Sequence, residues 1–331
     1  MLRHLDECTR TSKEIAILTH PIHSPSTAKV LDEFKARYPA TRFYSYELFN
    51  DANRRRAWEA CYGTTELPTL EWGKAKVILS LESDFLGAEG MTIEQIREFT
   101  NGRDIMKSKD FNRLYVAEGT LSLTGANADY RLRLRPDAQL DFVLALINEI
   151  ALVQESETVG GPLQALASAV TLKAFADQQG LSGEILRLLV DDLIKNSGEA
   201  IVVAGDTLPT DVHIAVNYLN ELLGNSKLYR VSEQTVSFSS LTSPQELEQL
   251  VNRMKSGNVG IVIHFDANPV YHLPQGFGYA EALKSVPLSV SLWKPMTKHR
   301  VSAPTCFRST MPTSRGEIIR FERESARCSS R

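Results

Sequence analysis

Short apolar runs bounded by turn residues alternate with amphipathic stretches along most of the chain. The runs EIAILT (14–19), RFYSYEL (42–48), AKVILSLESDFLG (75–87), RLYVAE (113–118), AIVVAG (200–205), VGIVIHFDANPVYHLP (259–274) and PLSVSL (287–292) read as strands. Most are continuously apolar at their centres, as expected of strands buried on both faces. Between them lie stretches with apolar residues at three- and four-residue spacing. STAKVLDEFKARY is predicted to be a helix capped by Ser26, and MTIEQIREFTNGR one stopped by Gly102. QLDFVLALINEIAL, LQALASAVTLKAFADQQ, GEILRLLVDDLIKN, TDVHIAVNYLNELLG, SPQELEQLVNRMKSG and YAEALKSV follow the same pattern. Ser243 caps its helix, with Pro244 at the first helical position.

Strand–helix alternation of this kind predicts an α/β fold built as two Rossmann-like, doubly wound domains. Read in chain order, residues 1–157 form the first domain, 158–198 a helical connector and 199–292 the second domain. AKVILSLESDFLG and VGIVIHFDANPVYHLP take similar places in the two halves. Each is a buried strand with a carboxylate and a loop at its C-terminal end, an expected pseudo-symmetry.

Composition changes this picture little. The 331 residues are 43% hydrophobic and 23% charged, ordinary for a globular protein. No run approaches the length of a membrane span, and the N-terminus is expected to lead straight into a strand, without a signal peptide. A net charge of −3 gives no reason to expect nucleic-acid binding. Cys8, Cys61, Cys306 and Cys328 are scattered, so the chain offers no iron–sulfur or zinc pattern and no metal site is expected. After Leu292 the character shifts: residues 293–331 hold nine Lys and Arg against three Glu and show no amphipathic period. The segment reads as a disordered basic tail or as the product of a reading-frame shift near Trp293. Synonymous codons for it, read two nucleotides on, can encode ETDDETPRQRTYVLPLHHAHESWGD.

The stretch RLYVAEGTLSLTGANADYRLRLRPDAQLDFVLALINEI (113–150) resembles a segment of the molybdopterin oxidoreductase family. There a strand ends in Asp-Pro-Arg, a loop carries Thr and Ala-Asp, and an Arg-Pro-Gly-x-Asp turn opens a helix. Ala128-Asp129 and Arg135-Pro136 are kept here, whereas Glu118-Gly119-Thr120 replaces Asp-Pro-Arg. Asn268-Pro269 after GIVIHFD stands where the family's second domain runs into Asn-Pro. The chain is more closely similar to a divergent branch, the large periplasmic subunit of alternative complex III, a quinol-oxidising respiratory assembly. Residues 11–292 carry the resemblance, Ser24-Pro25-Ser26 included, and the frame-shifted tail peptide resembles the family's continuation.

The resemblance implies two α/β domains facing each other around a pair of pterin-dinucleotide cofactors. In the divergent branch it implies a domain that has lost its cofactor, with iron–sulfur clusters only in a later part of a longer polypeptide. On that reading the chain is a fragment of a subunit whose full-length forms carry a twin-arginine export signal, and it lies on the periplasmic face of the inner membrane. Its partners would be a multihaem cytochrome and a polytopic quinol-binding membrane subunit. The expected role is a cofactor-free scaffold, with no catalytic residue; Glu118, Asp129, Arg135 and Asn268 are candidates for a vestigial groove. The alternative is a fragment of an active enzyme that still binds molybdopterin dinucleotide.

Other candidates follow from position alone. Glu82 and Asp84 end a central strand, where α/β proteins place ligands, and paired carboxylates can do acid–base work. His20 and His23 sit with Ser24, Ser26 and Thr27 before a helix, a possible anion site or a capped loop. His264, Asp266 and His272 surround Asn268-Pro269, but their spacing matches no standard zinc pattern.

Overall fold

The computed structural model describes residues 2–22, 24–104, 106, 111–154, 166–230, 241–292, 307–309 and 321–323. The chain divides into two compact units, and neither boundary is the one expected. Residues 1–48 and 236–331 form one unit; residues 49–235 form the other.

In the discontinuous unit, β1 (Glu14–Thr19) and β2 (Thr41–Ser45) join β9 (Val259–Phe265) and β10 (Leu288–Leu292) in a parallel sheet of order β10-β9-β1-β2. Side chains alternate across it. Ala16, Leu18 and Val262 pack on the helices Pro244–Lys255 and Tyr279–Lys284 through Leu250, Met254 and Leu283. Ile15, Ile17, Ile261 and Ile263 face the other way, among Leu5, Cys8 and Tyr38. Leu5 and Cys8 belong to the helix Leu2–Thr11, which precedes β1 where the sequence suggested none. At the N-terminal end of β1, buried Glu14 accepts from Tyr44 Oη at 2.5 Å and from Arg253 Nε at 2.9 Å. Burial, reinforced by Glu14, pushes the Tyr44 phenol up to about 12. The following helix runs Pro25–Arg37, and its N-cap is Ser24 rather than Ser26, because Pro25 occupies the first helical position. Around Pro244–Lys255, Ser243 and Glu246 form a reciprocal capping box.

In the continuous unit, β4 (Val77–Leu81), β5 (Arg113–Glu118), β6 (Tyr130–Arg133) and β7 (Ala200–Ala204) form a parallel sheet of order β6-β5-β4-β7. A two-residue pair, β3 (Thr69–Leu70) with β8 (Tyr229–Arg230), lies apart from it. One face packs Leu79, Leu81, Ala117 and Val202 against the helices Gln139–Val153, Leu172–Gln179, Gly183–Lys195 and Thr210–Leu222. The helices expected to connect two domains therefore cover this sheet: Phe175, Leu186, Leu189 and Leu193 lie in its core. The opposite face carries Ile78, Val116 and Val203 under Trp72, Phe85 and Phe99, with Trp72 and Phe85 stacked at 4.3 Å. A further helix, Ala52–Tyr62, was not evident in the sequence, where its Arg run masks any apolar period.

Both units are doubly wound α/β layers, as expected, but the strands are dealt between them differently. β7 pairs with β4, and β1 pairs with β9 from the far end of the chain. Every one of these central strands is an unbroken buried run, so local pattern does not distinguish their neighbours. Of the tail, Phe307–Ser309 and Phe321–Arg323 pair antiparallel, and the rest lies outside the described residues. Among the described residues no helix is long and apolar enough to cross a membrane.

β7 ends its sheet, and its outward-facing backbone is covered by side chains at Ala200 and Val202. Asn220 accepts from Val202 N–H at 3.2 Å and donates to Val202 C=O at 2.8 Å; Asn225 accepts from Ala200 N–H at 3.4 Å. Both asparagines are buried. Asn220→Leu leaves two buried backbone groups unpaired and is expected to cost about 3 kcal/mol, read as a lower urea midpoint at unchanged slope.

Candidate functional site

In open α/β sheets ligands bind outside the C-terminal strand ends, at the point where strand order reverses. That point lies between β4 and β7 in the continuous unit and between β1 and β9 in the other. Each contains a carboxylate in left-handed conformation one residue beyond its strand: Glu82 at φ 55° after β4 and Asp266 at φ 49° after β9. Non-glycine residues rarely adopt this conformation. The pseudo-symmetry thus extends to backbone geometry.

At the β4–β7 end, acidic side chains tie the chain to itself. Glu82 accepts from Gly119 N–H at 2.7 Å, and burial with nearby Glu118 raises its pKa. Asp84 accepts from both Thr124 N–H and Thr124 Oγ1 at 2.9 Å. Glu89 accepts from Ser83 Oγ at 2.7 Å and from Asp206 N–H at 3.1 Å, bridging the loops after β4 and β7. Burial, then the neighbouring Asp206 charge, pushes Glu89 up to about 7. Glu118 is 2% exposed and accepts from Arg131 Nε at 2.6 Å and Ser122 Oγ at 2.6 Å. Three glycines make this closeness possible. A Cβ on Gly125 would sit 1.8 Å from Glu118 Oε1, one on Gly87 2.1 Å from Asp84 Oδ2, and one on Gly205 2.4 Å from the Glu82 carbonyl.

Of the groove candidates, Glu118 is therefore enclosed. Asp129 accepts from Arg103 through both oxygens and from Leu114 N–H at 2.7 Å, at the start of β5 rather than at its ligand-facing end. Arg135, 78% exposed, pairs with Asp137 beside it. Glu118 and Asp129 are thus engaged by the chain itself, whereas the Arg135 guanidinium is open to solvent.

Asn268 belongs to the other unit, at the β1–β9 end. Its Oδ1 is buried without a hydrogen-bond partner, and its carbonyl accepts from Tyr271 and His272 N–H. Beside it the structure gathers three side chains. His20 Nδ1 lies 3.1 Å from the Tyr46 carbonyl, and Tyr46 Oη lies 3.0 Å from His272 Nδ1. The two imidazole centroids are 5.6 Å apart. Burial, with His20 alongside, lowers the His272 pKa, and burial raises that of Tyr46. Sequence reading named both histidines but assigned them to different sites and missed Tyr46. Ser24 Oγ accepts from Thr27 N–H at 3.4 Å, so that loop is a helix cap; His23 lies outside the described residues. His264 Nε2 bonds Tyr279 Oη at 2.7 Å, while Asp266 is exposed. Among the described residues no three His, Cys, Asp or Glu side chains are arranged to hold a metal ion.

No family model matches the chain. A curated relative does: the "Menaquinone reductase, molybdopterin-binding-like subunit" of Nitratidesulfovibrio vulgaris (Hildenborough), 23% identical over 256 residues, which is 71% of this chain and 36% of the relative. Among solved structures, acetylene hydratase from Pelobacter acetylenicus superposes with a TM-score of 0.57 at 13% identity, covering 88% of this chain and 48% of that one. The chain shares the fold of this molybdopterin-enzyme neighbour. The chain spans about a third of the curated relative's length and about half of the structural neighbour's.

The bridge through Glu89 has a pH signature. Its folded pKa lies above the ordinary carboxylate value of 4.5, so the folded state holds a proton that the unfolded state releases. Its contribution to stability is full below pH 4.5 and is lost as pH rises to about 7. Glu89→Gln, which cannot ionise, should gain on the wild type across that interval by about 2–3 kcal/mol and run parallel above it. Paired unfolding curves between pH 4.5 and 8 check this.

Proposed function

We propose that the chain is the cofactor-free scaffold portion of a subunit in a respiratory quinone–quinol electron-transfer complex of the alternative complex III type. The observation that carries this reading is Glu118. It stands where the family's Asp-Pro-Arg meets the nucleotide part of the cofactor, yet it is buried and bonded to Arg131 and Ser122. Asp84 and Glu89 seal the same strand ends. A carboxylate that binds its own chain stabilises the unit but is no longer available to read a base edge. The curated relative's name, a molybdopterin-binding-like subunit of a menaquinone reductase, supports placing the chain beside quinone-handling partners. Those partners are a polytopic membrane subunit and a multihaem cytochrome on the periplasmic face, with iron–sulfur clusters elsewhere in the longer polypeptide.

A second reading, a fragment of an active enzyme holding molybdopterin dinucleotide, is favoured by one observation. At the β1–β9 end, Asn268 Oδ1 is buried and unpartnered beside His272 and Tyr46, so that end retains a polar group that could meet a ligand.

Metal analysis of the purified full-length polypeptide separates the two. The scaffold reading predicts molybdenum and tungsten far below one atom per chain, and no pterin fluorescence after acid oxidation. A stoichiometric metal with a pterin would reject it.

A further inference from the structure

A small cavity opens beside the uncovered part of β7, wholly within the continuous unit, with a volume of about 30 Å³. Its lining includes Arg54 and Trp58 from the helix Ala52–Tyr62, Ala204 from β7, His213 and Asn217 from the helix Thr210–Leu222, and Tyr229. None of these was singled out by sequence, and none belongs to the strand-end clusters. Ala200 and Val202 have their outward backbone groups covered by Asn225 and Asn220. The two-residue period of a strand makes Ala204 the next residue to face outward, here into the cavity.

Two side chains set the chemistry. His213 is 3% exposed, and its Nε2 has no hydrogen-bond partner. Its other nitrogen is directed at the backbone carbonyls of Leu208 and Gly205. Carbonyls only accept, so Nδ1 carries the proton and Nε2 is left with a lone pair. Burial depresses the His213 pKa to about 4, which keeps the ring neutral near pH 7. Nε2 is thus a buried acceptor awaiting a donor. Arg54 is the reverse: a permanently charged donor that forms no hydrogen bond or ion pair among the described residues. It reaches His213, Tyr229, Asp206 and Glu89 only through its field.

One ligand must therefore bring a negative charge for Arg54 and an O–H for His213 Nε2. A metal cation fails on the first count because Arg54 repels it. A fully deprotonated anion fails on the second. Water meets the histidine but leaves the guanidinium without an ion pair. The volume is about twice that needed for one water, which limits the ligand to a few heavy atoms. We propose that this cavity binds a small oxyanion that retains a proton, of the hydrogencarbonate type, with its charge on Arg54 and its hydroxyl donating to His213 Nε2. The site is independent of the scaffold reading above.

The test is an NMR titration of the protein labelled with ¹⁵N-histidine, at mildly alkaline pH, with sodium hydrogencarbonate and separately with sodium nitrate at matched ionic strength. Nitrate has the same planar shape and charge but no proton to give. The proposal expects His213 Nε2 to be unprotonated in the free protein and to shift upfield saturably with hydrogencarbonate. Nitrate should produce no saturable shift, and Arg54→Gln should weaken hydrogencarbonate binding roughly tenfold or more. An unmoved Nε2 resonance, an equal response to nitrate, or a protonated Nε2 in the free protein would each overturn it. The comparison of the two anions on the wild type does not depend on how the variant folds.

Discussion

The continuous unit depends on how it disposes of carboxylates at the C-terminal ends of its strands. Glu118 ends β5 almost fully enclosed, a position that a charged group tolerates only with a partner and full hydrogen bonding. Arg131 supplies the charge and Ser122 the further bonds. Gly125 leaves the space, since any larger residue would overlap the Glu118 carboxylate. Asp84 with Thr124 and Glu89 with Asp206 repeat the solution nearby, each carboxylate closing a loop over a strand end. At these strand ends the protein's own acids bond its own loops.

The other unit treats the corresponding place differently. The left-handed residue after its central strand, Asp266, is exposed and does not brace the loop. His20, Tyr46 and His272 meet there instead, beside the unpartnered Asn268 amide oxygen. Two sheets of equivalent winding thus present different surfaces at their strand ends: one tied by carboxylates, the other lined by imidazole and phenol groups.

Much of the element pattern was legible from the sequence because burial writes itself into composition. EIAILT, AIVVAG and VGIVIH could only be strands covered on both faces, and Ser243-Pro244 announced a helix start that the structure places there. What was not legible was partnership. Nothing local tells β7 to pair with β4 or β1 to pair with β9, so the chain-order division into domains failed although the strands were right. The helix Leu2–Thr11 was hidden because only Leu5 and Cys8 are buried on it. The same limit applied to the sites. Glu118 was identified as the departure from the family's Asp-Pro-Arg, but its Arg131 partner, thirteen residues on, was not predictable from spacing. The cavity around His213 was invisible for a stronger reason: its lining comes from segments as far apart as Arg54 and Tyr229.

The strand ends of the continuous unit are held by the chain's own hydrogen bonds. Amide hydrogen exchange at Thr124 and Asp206 tests it most directly, because their N–H groups point at the Asp84 and Glu89 carboxylates. Both amides should exchange slowly in the protein alone, unchanged when a guanine nucleotide is added. Fast exchange that becomes slow only with the nucleotide would show an open, ligand-seeking crevice and contradict it.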